Sequence, residues 1–397
     1  MRTLALALTL VLASPAAADL TLSREIGANG LAPTEARLAA LPDPTAEELF
    51  ALAGLRFLRG VEGALQLRWQ TGVRSDWSEL PIMRLPIPEN PAARPFAPQD
   101  LNDLLTGVEG RMDAARTALT RLGERDFGLE IALADLWFDI NGNRMRDAGE
   151  DVAQVAGLTM AGAARGFLTP PPDPVIRFDT ADAAWLHAYT HFLSAFVHVA
   201  LAYDPAPAVA RVQASAATLR DLMGDTPPPN ALDMMFGRQV DRAAIILMAL
   251  AQDPKPALTK AAHGHLMDMI AHNRRFWALV EAETDNDREW VPNDRQTSAL
   301  GIRMPEGTGA RWQAVLADAE ALLEGRLLMP HWRMGAEAGI DLRLMFENQP
   351  RWDIVAMVQG EGLLPYARKG PRVTAESWQD FEALVRGDAV LFAVLLN

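Results

Sequence analysis

Apolar residues recur at the spacing of an α-helix along most of this chain, and clusters of proline and glycine separate the repeats. The pattern is clearest in TAEELFALAGLRFLRGVEGALQLRWQ, residues 45–70, whose apolar positions include Phe50, Leu58, Val61, Leu65 and Trp69. Thr45 followed by Glu48 forms a capping box, the side-chain pair that starts many helices. We therefore predict a long helix here, although the alternation in LQLRW also permits a short strand.

The same periodicity predicts further helices in six segments. They are APQDLNDLLTGVEGRMDAARTALTRLGERD (97–126), TADAAWLHAYTHFLSAFVHVALAYD (180–204), PAVARVQASAATLRDLMGD (207–225), NALDMMFGRQVDRAAIILMALAQ (230–252), PALTKAAHGHLMDMIAHNRRFWALVEAE (256–283) and GARWQAVLADAEALLEG (309–325). Because nearly half of all residues are apolar, such a chain is predicted to be a mostly α, multi-helix globular protein.

Two proline clusters, TPPPDP at 169–174 and TPPPN at 226–230, interrupt the helical pattern. Successive prolines cannot continue a helix, so each cluster is a firm break. The first cluster predicts a boundary between an N-terminal helical region, 19–168, and a C-terminal helical region, 175–397. Two packed helical subdomains and one larger body with long connections both fit this division.

The first 18 residues have the features of a secretory signal peptide. Arg2 precedes an apolar run at 4–13, and Ala16 and Ala18 supply the small residues that precede cleavage. We expect a mature start near Asp19 and a periplasmic or secreted protein. The chain contains no cysteine, so the protein is expected to be stable without disulfides.

The balance of charges narrows the choice of partners. The formal net charge is −14, with 51 acidic against 37 basic residues. Nucleic acids and anionic membranes need a concentrated positive surface, so neither is an expected partner. A divalent cation suits this surface, and an unidentified protein or small molecule is the other expected ligand.

The segment WLHAYTHFLSAFVHVALA, 185–202, comes closest to a membrane span. Its three histidines, one threonine and one serine are costly in hydrocarbon. We interpret it as the central helix of a helical bundle, and we predict no integral membrane span.

One loop has the spacing of a cation site. In DINGNRMRDAGE, residues 139–150, oxygen-bearing side chains stand at positions one, three, five, nine and twelve, and position seven offers a backbone carbonyl. The candidate ligands are Asp139, Asn141, Asn143, Met145, Asp147 and Glu150. This segment resembles an EF-hand loop, of the kind also found in dockerin-like calcium modules of exported proteins. The resemblance implies one structural Ca²⁺, with Asp147 acting directly or through a water.

The loop departs from the EF-hand pattern at two positions. Arg144 replaces the glycine of position six, where the backbone is left-handed, and Arg146 replaces the usual apolar residue of position eight. These arginines predict weak binding, with a dissociation constant of about 10⁻⁴ to 10⁻³ M. The alternative interpretation is a solvated turn at Asn141 and Gly142, since Asn-Gly is itself a strong turn signal.

Histidines form two helical stripes. His187, His191 and His198 share one helix face, but His191 and His198 are two turns apart and cannot reach one ion together. His265 and His272 share a second face with Asp268. We interpret both stripes as core or interface histidines, with a metal or catalytic role as the alternative.

Acidic residues also alternate along EAETDNDREW, 281–290, which we interpret as a solvated helix end.

These observations favour a calcium-stabilised, exported helical protein that acts as a binding or envelope-associated module. The alternative is a metal-dependent hydrolase that uses histidines of the helices at 180–203 and 256–283, and it requires that the two stripes meet.

A third interpretation is an interaction scaffold whose exposed apolar patch includes tryptophans of the C-terminal third, namely Trp312, Trp332, Trp352 and Trp378. The chain contains none of the phosphate-binding, nucleophile-elbow or dinucleotide motifs that mark the common enzyme classes.

Overall fold

The computed structural model describes residues 19–73, 81–152, 174–224, 231–301 and 303–385. The predicted fold class is confirmed, because the described chain is mostly α with short antiparallel strand pairs. The predicted signal peptide, residues 1–18, lies outside the described residues. The proline cluster at 226–230 lies outside them as well, and so does the cluster at 169–174 except for Pro174.

The helices follow one another along the chain with few strands between them. Helices α1 to α5 span Thr21–Asn29, Leu31–Ala39, Ala46–Thr71, Pro81–Arg84 and Gln99–Leu122. Helices α6 to α9 span Thr180–Ala202, Ala206–Met223, Ala231–Leu250 and Pro256–Ala282. Helices α10 to α13 span Thr308–Leu323, Leu342–Glu347, Ile354–Gln359 and Ala375–Val385.

Two antiparallel strand pairs complete the described structure, together with 3-10 turns at Leu133–Asp135 and Glu361–Tyr366. Strand β1, Leu129–Ala132, pairs with β2, Val175–Phe178. Strand β3, Ala338–Ile340, pairs with β4, Ala367–Lys369. The first pair joins segments from both sides of the predicted domain boundary.

Helix α3 begins as its sequence predicts. The Thr45 hydroxyl accepts a hydrogen bond from the Glu48 backbone N–H at 3.3 Å, and the Glu48 carboxylate accepts one from the Thr45 N–H at 2.9 Å. The helix ends at Gly72, whose left-handed φ of 65° suits glycine. LQLRW lies inside this helix, so the strand alternative is wrong.

The main core lies where α3, α5, α6 and α9 pack together. Leu52, Leu65, Phe276 and Trp277 are fully buried in it. Helices α6 and α9 make the most extensive contact, and α5 packs against α6. A smaller cluster forms around Ile340 in the C-terminal third. The histidine-bearing faces of α6 and α9 therefore lie inside the main bundle.

No single described helix is both long and apolar enough to cross a membrane. The pair formed by α6 and α7, which is bent by 60°, meets the length and composition criteria when the two helices are taken together.

The tryptophans of the C-terminal third have different environments. Trp312 is buried and its ring N–H donates to Asn273 Oδ1, whereas Trp332 is 71% exposed. The Trp332 ring N–H donates to the backbone oxygen of Val358 at 3.0 Å, and the Val358 side chain is exposed as well. The four tryptophans therefore do not form one exposed patch, because Trp312 is buried.

The acidic segment after α9 is less solvated than its sequence indicates. Glu289 is only 7% exposed, so the interpretation as a solvated helix end is wrong for this residue. Burial raises the pKa of Glu283 to about 7, and burial also raises the pKa of Asp182 well above its usual range. These carboxyl groups therefore bind protons more strongly in the folded protein than in the unfolded chain.

A Glu283→Gln variant should become more stable relative to the wild type as pH rises. The raised pKa of Glu283 contributes stability below about pH 4.5, and that contribution is lost as pH rises towards about 7. Glutamine carries no charge, and it keeps an oxygen that can accept the hydrogen bond from Gln296. We expect a relative gain of about 1 to 2 kcal/mol between pH 5 and pH 8, allowing for partial exposure. Urea unfolding of both proteins at the two pH values measures it, and parallel pH profiles would contradict the prediction.

Candidate metal centre

Five of the seven histidines of the chain meet between α6 and α9. Helix α6 provides His187, His191 and His198, and α9 provides His265 and His272. The helices run antiparallel along this row, because His187 stacks on His272 at one end and His198 stacks on His265 at the other. The spacing of four and seven residues keeps all five rings on facing surfaces of the two helices.

Three of these rings form the first candidate metal group. Ligand atoms of His187, His191 and His272 lie within 4.8 Å of one another. The rings of His187 and His272 are stacked, with centroids 3.7 Å apart. Three imidazoles that converge in this way can bind one ion and leave a fourth position open.

The second candidate group adds a carboxylate from α5. Ligand atoms of Glu109, His198 and His265 lie within 4.8 Å of one another. Glu109 Oε1 accepts a hydrogen bond from Arg116 Nη2 at 3.0 Å, whereas the buried Glu109 Oε2 has no hydrogen-bond partner. His198 Nδ1 lies 2.9 Å from the backbone oxygen of Ser194, and a hydrogen bond there leaves Nε2 as the free lone pair.

The two groups are joined through His191 and His265. Their Nδ1 atoms lie 2.9 Å apart, so one ring donates a hydrogen bond to the other. Asp268 Oδ2 lies 3.8 Å from His191 Nδ1, and the three side chains form a third group with ligand atoms within 4.8 Å. Asp268 is exposed, so this third group faces solvent.

The rings are poised to bind metal in their neutral form. Burial, and next the neighbouring His272, lower the pKa of His187 to about 3. Burial, and next Arg116, lower the pKa of His191 to about 2. Burial is also the main cause that lowers the pKa of His265 and His272. A neutral imidazole keeps a lone pair for an ion, so these sites need no deprotonation at neutral pH.

Arg116 fixes the position of the second group. Its buried guanidinium donates to Ser194 Oγ at 2.7 Å and to the Thr190 backbone oxygen at 3.2 Å, besides its bond to Glu109. These bonds connect α5 with α6 and hold the Glu109 carboxylate beside His265. The geometry of the carboxylate is thus set before any ion binds.

The sequence predicts part of this centre. The conclusion that His191 and His198 cannot share one ion agrees with their placement in different groups. The requirement of the hydrolase interpretation, that the two stripes meet, is also fulfilled. Sequence reasoning missed Glu109, because one glutamate on an amphipathic helix carries no local signal. Asp268, on the same helix face as His265 and His272, also lies 3.8 Å from His191 Nδ1 on the facing helix.

The predicted calcium loop closes through its own hydrogen bonds. Asn141 and Asn143 Nδ2 atoms each donate to Asp147 Oδ2 at 2.7 Å. Their Oδ1 atoms accept from backbone N–H groups two residues ahead, those of Asn143 and Met145. The Met145 side chain is exposed, as expected for a residue that offers only its carbonyl.

Position six of the loop adopts the left-handed conformation that the resemblance implies. Arg144 has a φ of 63° despite its side chain, and its N–H donates to Asp139 Oδ2 at 3.1 Å. The other oxygen, Asp139 Oδ1, is buried and has no hydrogen-bond partner. Asp139 therefore keeps one oxygen that an ion would satisfy.

Glu150, at position twelve, is fully buried. Its Oε1 accepts from the Ile140 N–H and its Oε2 from the Asp147 N–H, each at 2.8 Å. The carboxylate thus ties the two ends of the loop together through the backbone. Calcium binding by this loop stays a prediction, since bidentate ligation by Glu150 requires an ion to share these oxygens with the backbone donors.

A cavity of about 480 Å³ lies beside the loop, between it, α3 and the junction of α1 with α2. Glu62 and Asp139 are among its lining residues. Burial, which Asp139 reinforces less strongly, raises the pKa of Glu62 to about 7. The cavity is separate from the histidine row, which contains none of its lining residues.

No known family model matches this chain, and neither the curated proteins nor the solved structures that were compared with it gave a match.

Proposed function

We propose that this protein is an exported, mostly α protein that binds a divalent late first-row metal ion, such as Zn²⁺, among the histidines of α6 and α9. The observation that carries the proposal is the convergence of His187, His191 and His272, whose ligand atoms lie within 4.8 Å of one another. Imidazole nitrogen is a ligand that Zn²⁺, Cu²⁺ and Ni²⁺ share, and three imidazoles are a known zinc set.

Burial and rigidity both favour binding at this place. The histidines come from two helices that pack closely in the main bundle, so little conformational entropy remains to be lost when an ion binds. The lowered pKa values keep His187 and His191 neutral, so protons do not compete with the ion at neutral pH. The ion would therefore bind to a site that is largely formed in its absence.

We also propose that the loop at 139–150 binds one structural Ca²⁺. The ligands would be Asp139, Asn141, Asn143, the Met145 carbonyl, Asp147 and Glu150. The left-handed Arg144 and the unsatisfied Asp139 Oδ1 support this assignment. Hard oxygen ligands select Ca²⁺, whereas imidazoles select the softer late metals, so the two ions would not compete for one site.

Zinc titration of the purified protein tests the main proposal. We expect the wild type to bind Zn²⁺ and a His191→Gln/His265→Gln double variant to bind it at least about 100-fold more weakly, because each of the three groups then loses at least one ligand. A competing chelator dye that reports free Zn²⁺ gives the dissociation constants. The measurement needs a buffer free of other late transition metals.

His331→Gln is the matched control, since His331 lies in the C-terminal third and belongs to none of the three groups. Its zinc affinity should equal that of the wild type. Loss of affinity in the control as large as in the double variant, or absence of zinc binding by the wild type, would overturn the proposal. Circular dichroism of each variant checks that the helices are intact.

A metal-dependent hydrolase is a second candidate, because three histidine ligands leave an open position for a water whose pKa the ion lowers. Hydrolysis of nitrophenyl esters and phosphates by zinc-loaded and chelator-treated protein separates the two candidates. A zinc-dependent rate that His187→Gln abolishes would favour the enzyme. Equal rates of hydrolysis by zinc-loaded and chelator-treated protein, both at the background level, would favour metal binding without catalysis.

A further inference from the structure

We propose that the cavity of about 480 Å³ beside the loop at 139–150 binds an α-amino acid with an apolar side chain. Small-molecule sites commonly have volumes of about 300 to 1,000 Å³, so this cavity is large enough for such a ligand. The inference goes beyond the proposed function and does not depend on either metal ion, because it uses no histidine and none of the predicted calcium ligands.

Glu62 provides a buried acceptor at the cavity wall. The residue is only 1% exposed, and its Oε1 accepts hydrogen bonds from Arg59 Nη1 at 2.5 Å and from Gln66 Nε2 at 3.2 Å. Its second oxygen, Oε2, is buried and has no hydrogen-bond partner. Because a buried carboxylate oxygen without a donor is unfavourable, an ammonium group of a ligand would stabilise it.

Arg59 lies on the same wall and is already paired with acids. Its Nη1 donates to Glu62, and its Nε lies 3.7 Å from Glu35 Oε2. Glu35 also pairs with Arg56 at 3.6 Å and with Arg111 at 2.9 Å. Arg59 Nε is buried and has no hydrogen-bond partner, so it can donate to a ligand oxygen. Three arginines and two carboxylates leave one surplus positive charge near this wall.

The carboxylate of the ligand would bind at the start of α2 and to Arg144. Gly30 precedes α2, and no side chain caps the first turn of this helix, whose first residues Leu31 and Ala32 line the cavity. The first N–H groups of a helix have no partner inside the helix, and they bind carboxylates well. Arg144 also lines the cavity, is exposed and makes no ion pair with another described residue. Asp139 on the same side offsets one positive charge, so the surplus near α3 remains for the carboxylate of the ligand.

Trp137 forms the apolar part of the wall together with Leu31 and Pro33. Its ring N–H donates to the Gly27 backbone oxygen at 3.1 Å, which fixes the ring. A Cβ atom at Gly30 would come within 2.8 Å of the ring, so the chain passes directly over it. The apolar side chain of the ligand would pack against these groups. An α-amino acid carries an ammonium group, a carboxylate and a side chain on one carbon atom, and the cavity offers a partner for each.

Isothermal titration calorimetry of the purified protein with L-leucine tests the proposal. The titration is run at pH 8, above the pKa of about 7 of Glu62, and without added transition metal, because amino acids themselves bind such ions. We expect a dissociation constant below about 1 mM. 4-Methylpentanoate lacks the ammonium group and 3-methylbutylamine lacks the carboxylate, and each should bind at least about 10-fold more weakly than L-leucine.

Two variants should change the affinities for these probes in opposite ways. Glu62→Gln should weaken L-leucine and 3-methylbutylamine by at least about 10-fold and leave 4-methylpentanoate unchanged, because it removes the partner of the ammonium group. Arg144→Gln should weaken L-leucine and 4-methylpentanoate and leave 3-methylbutylamine unchanged. Arg146→Gln is the matched control, since Arg146 lies on the same loop, pairs with Asp151 and does not line the cavity. Its affinities should equal those of the wild type.

Absence of L-leucine binding by the wild type at millimolar concentration would overturn the proposal, and the cavity would then hold water only. Equal affinities of L-leucine and 4-methylpentanoate would overturn the role of the ammonium group. Wild-type affinities in both Glu62→Gln and Arg144→Gln would overturn the place of binding. If circular dichroism shows that Glu62→Gln does not fold, Ala32→Leu replaces it, because the added volume at a lining residue should weaken L-leucine at least about 10-fold. Unchanged affinity in Ala32→Leu would also overturn the place of binding.

Discussion

Replacing His191 with glutamine should reduce zinc affinity more than replacing His187, His198 or His272 with glutamine, by at least about 100-fold. His191 belongs to the group with His187 and His272 and to the group with Asp268, and it shares the hydrogen bond with His265. Its loss removes a direct ligand from two groups and the partner that fixes the proton of His265. Competition with a zinc-binding dye at pH 7 measures the affinity.

His263→Gln is the control for a change on the same pair of packed helices, since His263 lies on α9 and contacts the Leu323 backbone oxygen and Phe346. Its zinc affinity should stay within about twofold of the wild type. The role of His191 is contradicted if its variant binds zinc as tightly as the His263 variant. Thermal melts without zinc distinguish loss of a ligand from loss of the fold.

Replacing Glu150 with glutamine should lower the free energy of unfolding by about 2 to 3 kcal/mol, with calcium present or absent. Both carboxylate oxygens accept backbone N–H groups, those of Ile140 and Asp147, at a fully buried place. The glutamine NH₂ must face one of these donors, so a buried N–H loses its acceptor. Urea unfolding in calcium and in chelator measures the difference.

Asp139→Asn is the matched variant that separates the effect of calcium binding on stability from the effect of the buried Glu150 hydrogen bonds. Asparagine can still accept from the Arg144 N–H, and it loses the negative charge at the unsatisfied Oδ1. Its stability should equal that of the wild type in chelator and fall below it in millimolar calcium. Equal stability of the two proteins under both conditions would refute the calcium site. A Glu150→Gln variant as stable as the wild type would refute the buried role of that carboxylate.

The long helices could be predicted because their signals are local. The capping box of Thr45 and Glu48 and the apolar periodicity that follows it lie within one segment. The short helices of the first 39 residues and the strand pairs were not predicted. Strand β1 pairs with β2 across more than 40 residues, and no pattern within either strand indicates its partner.

The histidine centre could be predicted only in halves. Periodicity places His187 and His191 on one helix face, and His265 and His272 on another. Their meeting depends on the antiparallel packing of α6 and α9, which is a tertiary fact. Glu109 comes from a third helix, and Arg116, about two turns further along that helix, holds its carboxylate in place. Because its ligands come from three helices, the centre has no fixed spacing of residues along the sequence that a motif search could detect.

The calcium loop shows the opposite case, because all its candidate ligands lie within twelve residues. Spacing therefore sufficed to name them. The sequence did not indicate that Glu150 would be buried among backbone donors, since burial of one side chain depends on the elements packed around it. Local spacing predicts candidate ligands but leaves open what else those ligands bind.

X-ray absorption spectroscopy of the zinc-loaded protein tests the central claim most directly. At one Zn²⁺ per chain, we expect a shell of nitrogen and oxygen ligands at about 2.0 to 2.1 Å and outer-shell scattering from at least two imidazoles. A zinc shell of oxygen ligands alone, without imidazole scattering, would contradict the assignment of the ion to the histidines of α6 and α9.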